Sequence, residues 1–151
     1  MPTHAHSLVL FLVRGLPGSG KSTVASNLGL KVHSADDHFT DEDGVYNFDP
    51  SKLGDAHAAC QSNTRSSLSS GFSCVVANTF TQGWEFAPYL RIAEEFDARI
   101  VVVDTFDGGM TDEELAEKNV HGVPLAGIRA MRARWEHDWR NADMRAPWLR
   151  G

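Results

Sequence analysis

The stretch "RGLPGSGKST", residues 14–23, decides the fold of this chain. It follows the apolar run "SLVLFLV" and fits the pattern G-x-x-x-x-G-K-[ST] at every fixed position. Glycines in this pattern let backbone N–H groups turn toward phosphates, while Lys21 reaches the terminal phosphates and Ser22 offers a hydroxyl to Mg²⁺. The sequence therefore predicts a phosphate-binding loop that takes a nucleoside triphosphate and Mg²⁺. The predicted nucleotide-binding residues are Gly15, Pro17, Gly18, Ser19, Gly20, Lys21, Ser22 and Thr23.

Strand-like and helix-like segments alternate along the whole chain. Four apolar runs predict strands at residues 7–13, 31–34, 72–78 and 99–105. Apolar spacing and capping residues predict helices at residues 21–28, 51–69, 84–96, 111–119 and 124–141. This order predicts an α/β fold of the three-layer P-loop type, with a parallel sheet flanked by helices. We expect a single domain over residues 1–151.

The composition is that of an ordinary globular protein, with 42% hydrophobic and 23% charged residues. The longest apolar run, residues 8–13, is too short to span a bilayer and lacks the flanks of a secretory signal. We therefore expect a cytoplasmic protein without membrane contact. Cys60 and Cys74 have no metal-ligand spacing and are expected to be buried thiols.

The charge is unevenly distributed. A net charge of −6 argues against a generally basic, nucleic-acid-coating protein. From Lys118 onward, however, the chain holds seven of its fourteen lysines and arginines. This segment predicts either a local basic face that meets phosphates or a solvated helix face. No obligate protein partner is indicated.

Two adjacent carboxylates, Asp36 and Asp37, follow the second predicted strand in "HSADDHF". Ligands of open α/β sheets collect at the carboxyl ends of strands. A carboxylate there could accept a proton from an attacking hydroxyl or hold the water shell of Mg²⁺. The alternative is a solvated acidic loop.

Further motifs carry a resemblance to a known family. "HSADDHF", "YNFDPSKLGDAH", "NTF" with "WEFAPYLRIA", and "KNVHGVPLAGIRAMRARWE" resemble the small P-loop kinases related to NEDD4-binding protein 2. The same superfamily includes phage polynucleotide kinase and phage enzymes that phosphorylate 5-hydroxymethyluracil in DNA. The resemblance covers residues 8–136 and implies a kinase that acts on a hydroxyl of nucleic acid. It also implies a small helical lid at about residues 108–124.

The resemblance assigns roles residue by residue. It implies that Asp36 is the general base, that Lys118 lies in the lid above the ATP phosphates, and that His121 touches phosphate or substrate. We predict Ser22 and Asp37 as metal ligands, because "VVANTF" lacks the carboxylate that the family carries there. Asp104 has the local pattern of a Walker B acid but comes one strand late. The arginine that follows the Asp pair in phage polynucleotide kinase is also missing.

Candidate substrate-binding residues follow the third predicted strand. Asn78 and Thr79 could hydrogen-bond a substrate, and Phe80 could stack on a nucleobase. Trp84, Phe86 and His57 are further candidates for a base pocket, although Trp84 and Phe86 also fit a helix core. Arg129 or Arg132 could neutralise charge on the transferring phosphoryl group.

These residues together predict transfer of the γ-phosphoryl group of ATP to a hydroxyl on DNA. The acceptor is predicted to be the 5-hydroxymethyl group of 5-hydroxymethyluracil in phage DNA hypermodification, in which case the protein works in the host cytoplasm. A 5′-hydroxyl end is the alternative. A small-molecule kinase for a nucleoside or sugar, or a non-catalytic nucleotide switch, would use the same loop.

Overall fold

A computed structural model describes residues 7–151, and the first six residues of the predicted domain lie outside the described part. Four strands and five α-helices alternate along the chain. They are β1 (Val9–Gly15), α1 (Lys21–Asn27), β2 (Lys31–His33), α2 (Leu53–Ser69), β3 (Cys74–Asn78), α3 (Gly83–Glu95), β4 (Arg99–Phe106), α4 (Asp112–Lys118) and α5 (Leu125–Arg134). The predicted order of elements is confirmed.

The four strands form one parallel sheet in the order β2-β3-β1-β4. The central strand β1 pairs with both β3 and β4, so that Leu10 lies opposite Cys74 on one side and Ile100 on the other. All connections run from the carboxyl end of one strand over a face of the sheet to the next strand. The ends of β1, β2 and β3 therefore meet at one edge, where ligands of such sheets bind.

Alternating residues of β1 face the two helical layers. Leu10 and Leu12 pack with residues of α2 and α3, whereas Phe11 and Val13 pack against α1. Both faces of the strand are covered, which explains why its sequence is continuously apolar rather than alternating. The predicted three-layer α/β fold is confirmed.

The acidic segment after β2 begins with a short helix, in a stretch where the sequence predicts neither a strand nor a helix. Residues Ala35–Phe39 form a 3₁₀-helix capped by Ser34. The Ser34 hydroxyl accepts a hydrogen bond from the backbone N–H of Asp36, and the Asp37 carboxylate accepts one from the backbone N–H of Ser34. This reciprocal capping orders the segment and fixes the direction in which Asp36 leaves the sheet.

The last helix is shorter than predicted, because α5 ends at Arg134 rather than near residue 141. The chain turns extended at Trp135, and the backbone N–H of Glu136 then donates to the carbonyl of Thr81. The guanidinium of Arg14 lies 3.9 Å from the centre of the Trp135 ring and also donates to the carbonyl of Glu136. Tertiary contacts thus override a helical sequence pattern here.

Two expectations from composition can be compared with the structure. Cys60 and Cys74 are buried free thiols, as predicted. Over residues 7–151, none of the helices combines the length and the apolar character needed to cross a membrane.

Candidate active site

The phosphate-binding loop joins β1 to α1 and depends on glycine for its path. Gly18 and Gly20 have φ angles of 85° and 95°, a region that favours glycine. Gly18 also packs against the lid, since a Cβ atom there would lie 2.7 Å from the carbonyl oxygen of Leu115. On its other side, the loop is fixed to the end of β4 by a 2.7 Å hydrogen bond between the hydroxyls of Ser19 and Thr105. The loop is therefore braced from two directions.

Lys21 opens α1, and burial lowers the pKa of its ammonium group, while the charge of Asp36 opposes that shift. A half-buried lysine whose electrostatic neighbour is a carboxylate is suited to meet an anionic phosphate. Ser22 and Thr23 follow at the exposed start of the helix. The structure thus brings the predicted phosphate-binding residues together.

The residues present fit a nucleotide-bound Mg²⁺ ion. Within the described part of the chain, no cluster of three or more His, Cys, Asp or Glu side chains could hold a metal ion. A single hydroxyl ligand such as Ser22 suits Mg²⁺, which keeps several waters and takes its other ligands from phosphates. Asp37 uses one carboxylate oxygen to cap the 3₁₀-helix and is exposed, so its metal role remains a prediction.

Asp36 lies at the centre of a contact group. The hydroxyl of Tyr46 donates a 3.3 Å hydrogen bond to one carboxylate oxygen, and His121 Nε2 lies 3.4 Å from the other. The rings of Tyr46 and His121 pack with centroids 4.3 Å apart. Burial and the neighbouring carboxylate raise the pKa of Tyr46 to about 12, so this hydroxyl stays protonated and remains a donor.

The sequence does not predict Tyr46 as a residue of the site. It lies in a loop of acidic and glycine residues, and its contact with Asp36 arises from a bridge between Thr40 and Tyr46 that folds the loop back. The signal available in the sequence was one of two aromatic residues in the motif "YNFDPSKLGDAH", and spacing alone does not indicate that it faces the carboxylate.

Asn78 positions the Asp36 segment rather than pointing to open space. Its side-chain oxygen accepts hydrogen bonds from the backbone N–H of Ala35 at 2.9 Å and from the Ser34 hydroxyl, and its amide nitrogen donates to the sulfur of Cys60. The side chain is 9% exposed. This corrects the prediction that Asn78 could hydrogen-bond a substrate, because its side-chain oxygen and its amide nitrogen already have partners in the protein. The next residue, Thr79, uses its carbonyl to accept from the backbone N–H of Gly15.

Phe80 and Phe86 belong to the core. Phe80 is 2% exposed and stacks on Phe86 with ring centroids 4.6 Å apart, and Phe86 in turn stacks on Trp139 at 3.9 Å. This corrects the prediction that Phe80 is a stacking platform and the suggestion that Phe86 lines a base pocket. Rings packed on both faces have no face left for a base.

A cleft of about 640 Å³ opens beside β3, between the first turns of α2 and α3 and the C-terminal segment. His57, Trp84 and Trp148 are among its lining residues, and Asn78 lies in its wall. Asp36 is not among the residues that line the cleft, but its charge acts on His57, which does line it, and Asn78 accepts a hydrogen bond from the backbone N–H of the neighbouring Ala35. Burial lowers the pKa of His57, while the charges of Glu85 and Asp36 oppose the shift. His57 and Trp84, both predicted as pocket candidates, thus lie together in this cleft.

The segment predicted as the lid, about residues 108–124, contains α4 and the turn that follows it. The Asn119 side chain holds the turn, since it donates to the carbonyls of Leu115, Ala116 and Val123 and accepts from the backbone N–H of Val123. His121 is carried on this turn. Lys118 ends α4 and is exposed.

The C-terminal arginines are largely paired with neighbouring acids. Arg129 binds Glu113, and Arg132 binds both Asp107 and Asp112 at the base of the lid. Arg145 and Arg150 both pair with Asp143. Acids therefore neutralise these four arginines, and a basic face is not shown among residues 7–151. Arg129 and Arg132 bind acids within residues 107–113 rather than the phosphate-binding loop.

Asp104 is engaged by a buried arginine. Its carboxylate lies 3.2 Å from Arg14 and also accepts a hydrogen bond from the backbone N–H of Phe106. Arg14 is fully buried and donates in addition to the carbonyls of Phe80 and Glu136. This arrangement explains the carboxylate at the end of β4 without a metal ion and argues against the Walker B interpretation of Asp104.

Comparison with known proteins places this site in a family. A family model described as an AAA domain matches residues 10–137. The chain belongs to this AAA domain family. It is also 36% identical over 133 residues to NEDD4-binding protein 2 of Homo sapiens, an alignment that covers 82% of this chain and 7% of that protein. The resemblance inferred from the motifs is confirmed, although the chain spans only a small part of this curated relative.

Solved structures of other proteins share the fold of this chain. A chain of the Pnkp1/Rnl/Hen1 RNA repair complex superposes with a TM-score of 0.70 at 17% identity, covering 95% of this chain and 48% of that chain. A candidate kinase from Chloroflexus aurantiacus gives a TM-score of 0.64 at 18% identity, covering 87% and 79% of the two chains. At these identities the likeness concerns the fold, which is that of P-loop kinases.

Proposed function

We propose that this AAA domain protein transfers the γ-phosphoryl group of ATP to a hydroxyl of a nucleic acid. The observation that carries the proposal is the position of Asp36. Its carboxylate contacts Tyr46 and His121, and its charge acts both on the half-buried Lys21 of the phosphate loop and on His57, which lines a cleft large enough for one nucleotide. A base between a phosphate loop and an acceptor cleft is the arrangement that phosphoryl transfer to a hydroxyl needs.

Each residue has a defined task in this reaction. The loop residues 15–23 bind the phosphates, Lys21 draws charge from the terminal phosphate, and the Ser22 hydroxyl binds Mg²⁺, with Asp37 as a further candidate in its water shell. Mg²⁺, when bound, neutralises charge on the phosphates. Asp36 orients the acceptor hydroxyl and takes its proton. Lys118, at the end of α4, can swing over the phosphates from the lid.

The acceptor we favour is a hydroxymethyl group on a base, such as 5-hydroxymethyluracil in phage DNA. The cleft beside β3 has aromatic walls at Trp84 and Trp148, which suit a base rather than a bare sugar end. The residue after the Asp pair is the exposed His38, where a 5′-end kinase would need an arginine to hold the end phosphate. A 5′-hydroxyl acceptor is the second candidate, and the fold shared with a chain of an RNA repair complex favours it.

Labelled ATP and two DNA oligonucleotides separate these acceptors. One oligonucleotide has a free 5′-hydroxyl and ordinary bases, and the other has a blocked 5′ end and one internal 5-hydroxymethyluracil. Label on the second alone supports the base acceptor, and label on the first alone supports the 5′ end. Label on neither, with turnover on a nucleoside or sugar, would contradict the nucleic-acid proposal.

The Asp36→Asn variant tests the base directly. We expect turnover to fall by about 10²–10⁴ while ATP binding is kept. Asp41→Asn is the matched control, because the Asp41 carboxylate accepts backbone hydrogen bonds in a local turn that an asparagine can also cap. Unchanged turnover in Asp36→Asn would remove Asp36 from the mechanism.

A further inference from the structure

The C-terminal tail lies beyond the part of the chain that the family model matches. The match ends at residue 137, and the tail comprises residues 138–151. Met144, Arg145, Ala146, Trp148 and Leu149 nevertheless form one wall of the acceptor cleft, facing the first turns of α2 and α3. The cleft is thus completed by a segment that is not part of the common family core.

This tail is firmly attached. Trp139 stacks on Phe86 in the core, and the chain then passes so close to α3 that a Cβ atom at Gly83 would lie 2.5 Å from the carbonyl oxygen of Trp139. Asp143 next binds Arg145, and Arg150 donates to the carbonyl of Asp143. These contacts place the following residues at a defined position along the cleft.

Near its end, the tail carries an exposed aromatic side chain, Trp148, at the mouth of the cleft. Trp148 is 75% exposed, and its ring meets Trp84 edge-on with centroids 5.4 Å apart and an interplanar angle of 77°. An edge-on contact leaves a broad face of the Trp148 ring uncovered. Leu149, the next residue, is 66% exposed, and contiguous exposed apolar side chains of this kind mark binding sites more often than single scattered ones do.

We propose that Trp148 and Trp84 form a platform on which an unstacked base of a single-stranded acceptor stacks, so that the tail determines which acceptors bind. This inference rests on the proposed function and deepens it by naming the substrate class. Stacking on aromatic rings is the means by which proteins hold single-stranded bases, because every base presents a flat face.

The chemistry of the cleft selects a base over other occupants. His57 and Gln61 can hydrogen-bond the polar edge of a base. Arg91, which is exposed on α3, lines the same cleft and can contact the sugar-phosphate backbone of the bound strand. The volume of about 640 Å³ accommodates one nucleotide but not a folded partner. Asn78 lies in the inner wall of the cleft and binds the backbone N–H of Ala35, the residue before Asp36.

Binding of a fluorescein-labelled single-stranded oligonucleotide, measured by anisotropy without ATP, tests the platform. We expect Trp148→Ala to weaken binding about tenfold and Trp148→Phe to restore most of it, with ATP affinity unchanged. Phe72→Ala is the control, since Phe72 is 67% exposed at the opposite end of β3. Equal affinities of wild type, Trp148→Ala and Phe72→Ala, or no binding by wild type, would overturn the inference.

The same variants distinguish this inference from the proposed reaction. Oligonucleotide binding that depends on Trp148, with no phosphoryl transfer to any nucleic acid, would leave the platform standing and sink the proposed function. Phosphorylation of the oligonucleotide with an unchanged KM in Trp148→Ala would keep the function and sink the platform.

Discussion

His121 Nε2 lies 3.4 Å from the Oδ2 atom of Asp36, so a side chain of the lid contacts the carboxylate at the end of β2. Tyr46 packs on the same imidazole and donates to the other carboxylate oxygen. Asp36 is therefore contacted by Tyr46, ten residues further along the chain, and by His121 from the predicted lid. The position of the lid is thereby coupled to the orientation of the group that we propose as the base.

Replacing His121 by alanine should lower kcat about tenfold and leave the affinity for ATP nearly unchanged, because the imidazole contacts the base and not the phosphate loop. Tyr46→Phe, which removes one hydroxyl, should have a similar or smaller effect. Since both side chains hold one carboxylate, the double variant should lose less than the product of the two single losses. Steady-state kinetics of the four proteins checks this, and strictly multiplicative effects would show that the two residues act independently.

Arg14→Met should lower the free energy of unfolding by about 3 kcal/mol, because it leaves Asp104 and several carbonyls without their buried donor. Arg129→Met is the control, as Arg129 pairs with Glu113 on the surface and should cost at most about 1 kcal/mol. Urea unfolding followed by tryptophan fluorescence measures both. Equal losses in the two variants would mean that the Arg14 network contributes no more than a surface ion pair.

Asn78→Ala should both destabilise the protein, by about 1–3 kcal/mol, and reduce turnover. The backbone N–H of Ala35 loses its acceptor, and the 3₁₀-helix that carries Asp36 is no longer fixed to β3. Asn63→Ala, on the exposed side of α2, serves as the comparison. If Asn78→Ala retained full turnover per folded molecule, the proposed positioning of Asp36 by Asn78 would be wrong.

The stability of the protein should fall below pH 6.5, and His33→Gln should make that fall shallower. Burial and the charge of Lys31 lower the pKa of His33 from its ordinary value of 6.5, with Asp37 opposing. The unfolded state therefore binds the proton more readily, so stability is fully present above pH 6.5 and declines as the pH drops toward the folded-state pKa. Glutamine cannot titrate but can keep the bond to the Ser67 hydroxyl.

Thermal unfolding between pH 7.5 and 5 measures the difference for His33→Gln. Some slope should remain in the variant, because burial also lowers the pKa of His57. Parallel curves for the two proteins would show that His33 does not contribute to the acid sensitivity.

Local patterns predicted most of the fold and part of the site. The loop at residues 15–22 and the four apolar strands are encoded by adjacent residues, and the structure forms them as expected. The capping of Ala35–Phe39 could also be predicted from the sequence, because Ser34 and Asp37 have capping-box spacing. The positions of Asp36 and Lys21 follow from the parallel sheet, which brings the ends of its strands together.

What failed depends on contacts between distant segments. Phe80 has the aromatic ring that stacking on a base requires, but its burial follows from its packing on Phe86, which in turn stacks on Trp139. The early end of α5 follows from Arg14, which no periodicity in residues 124–141 reveals. The arginine-rich C-terminal sequence suggested a basic face, yet Asp107 and Asp112 lie next to Arg132 only after folding.

The burial of Arg14 also bears on how the protein is made. Arg14 immediately precedes the phosphate loop, but its guanidinium bonds to Phe80, Asp104 and Glu136, which are 66, 90 and 122 residues further along the chain. A nascent chain on the ribosome has the full set of these partners only once residue 136 has been synthesised. The segment that leads into the nucleotide loop is thus translated early, but its buried contacts are completed late.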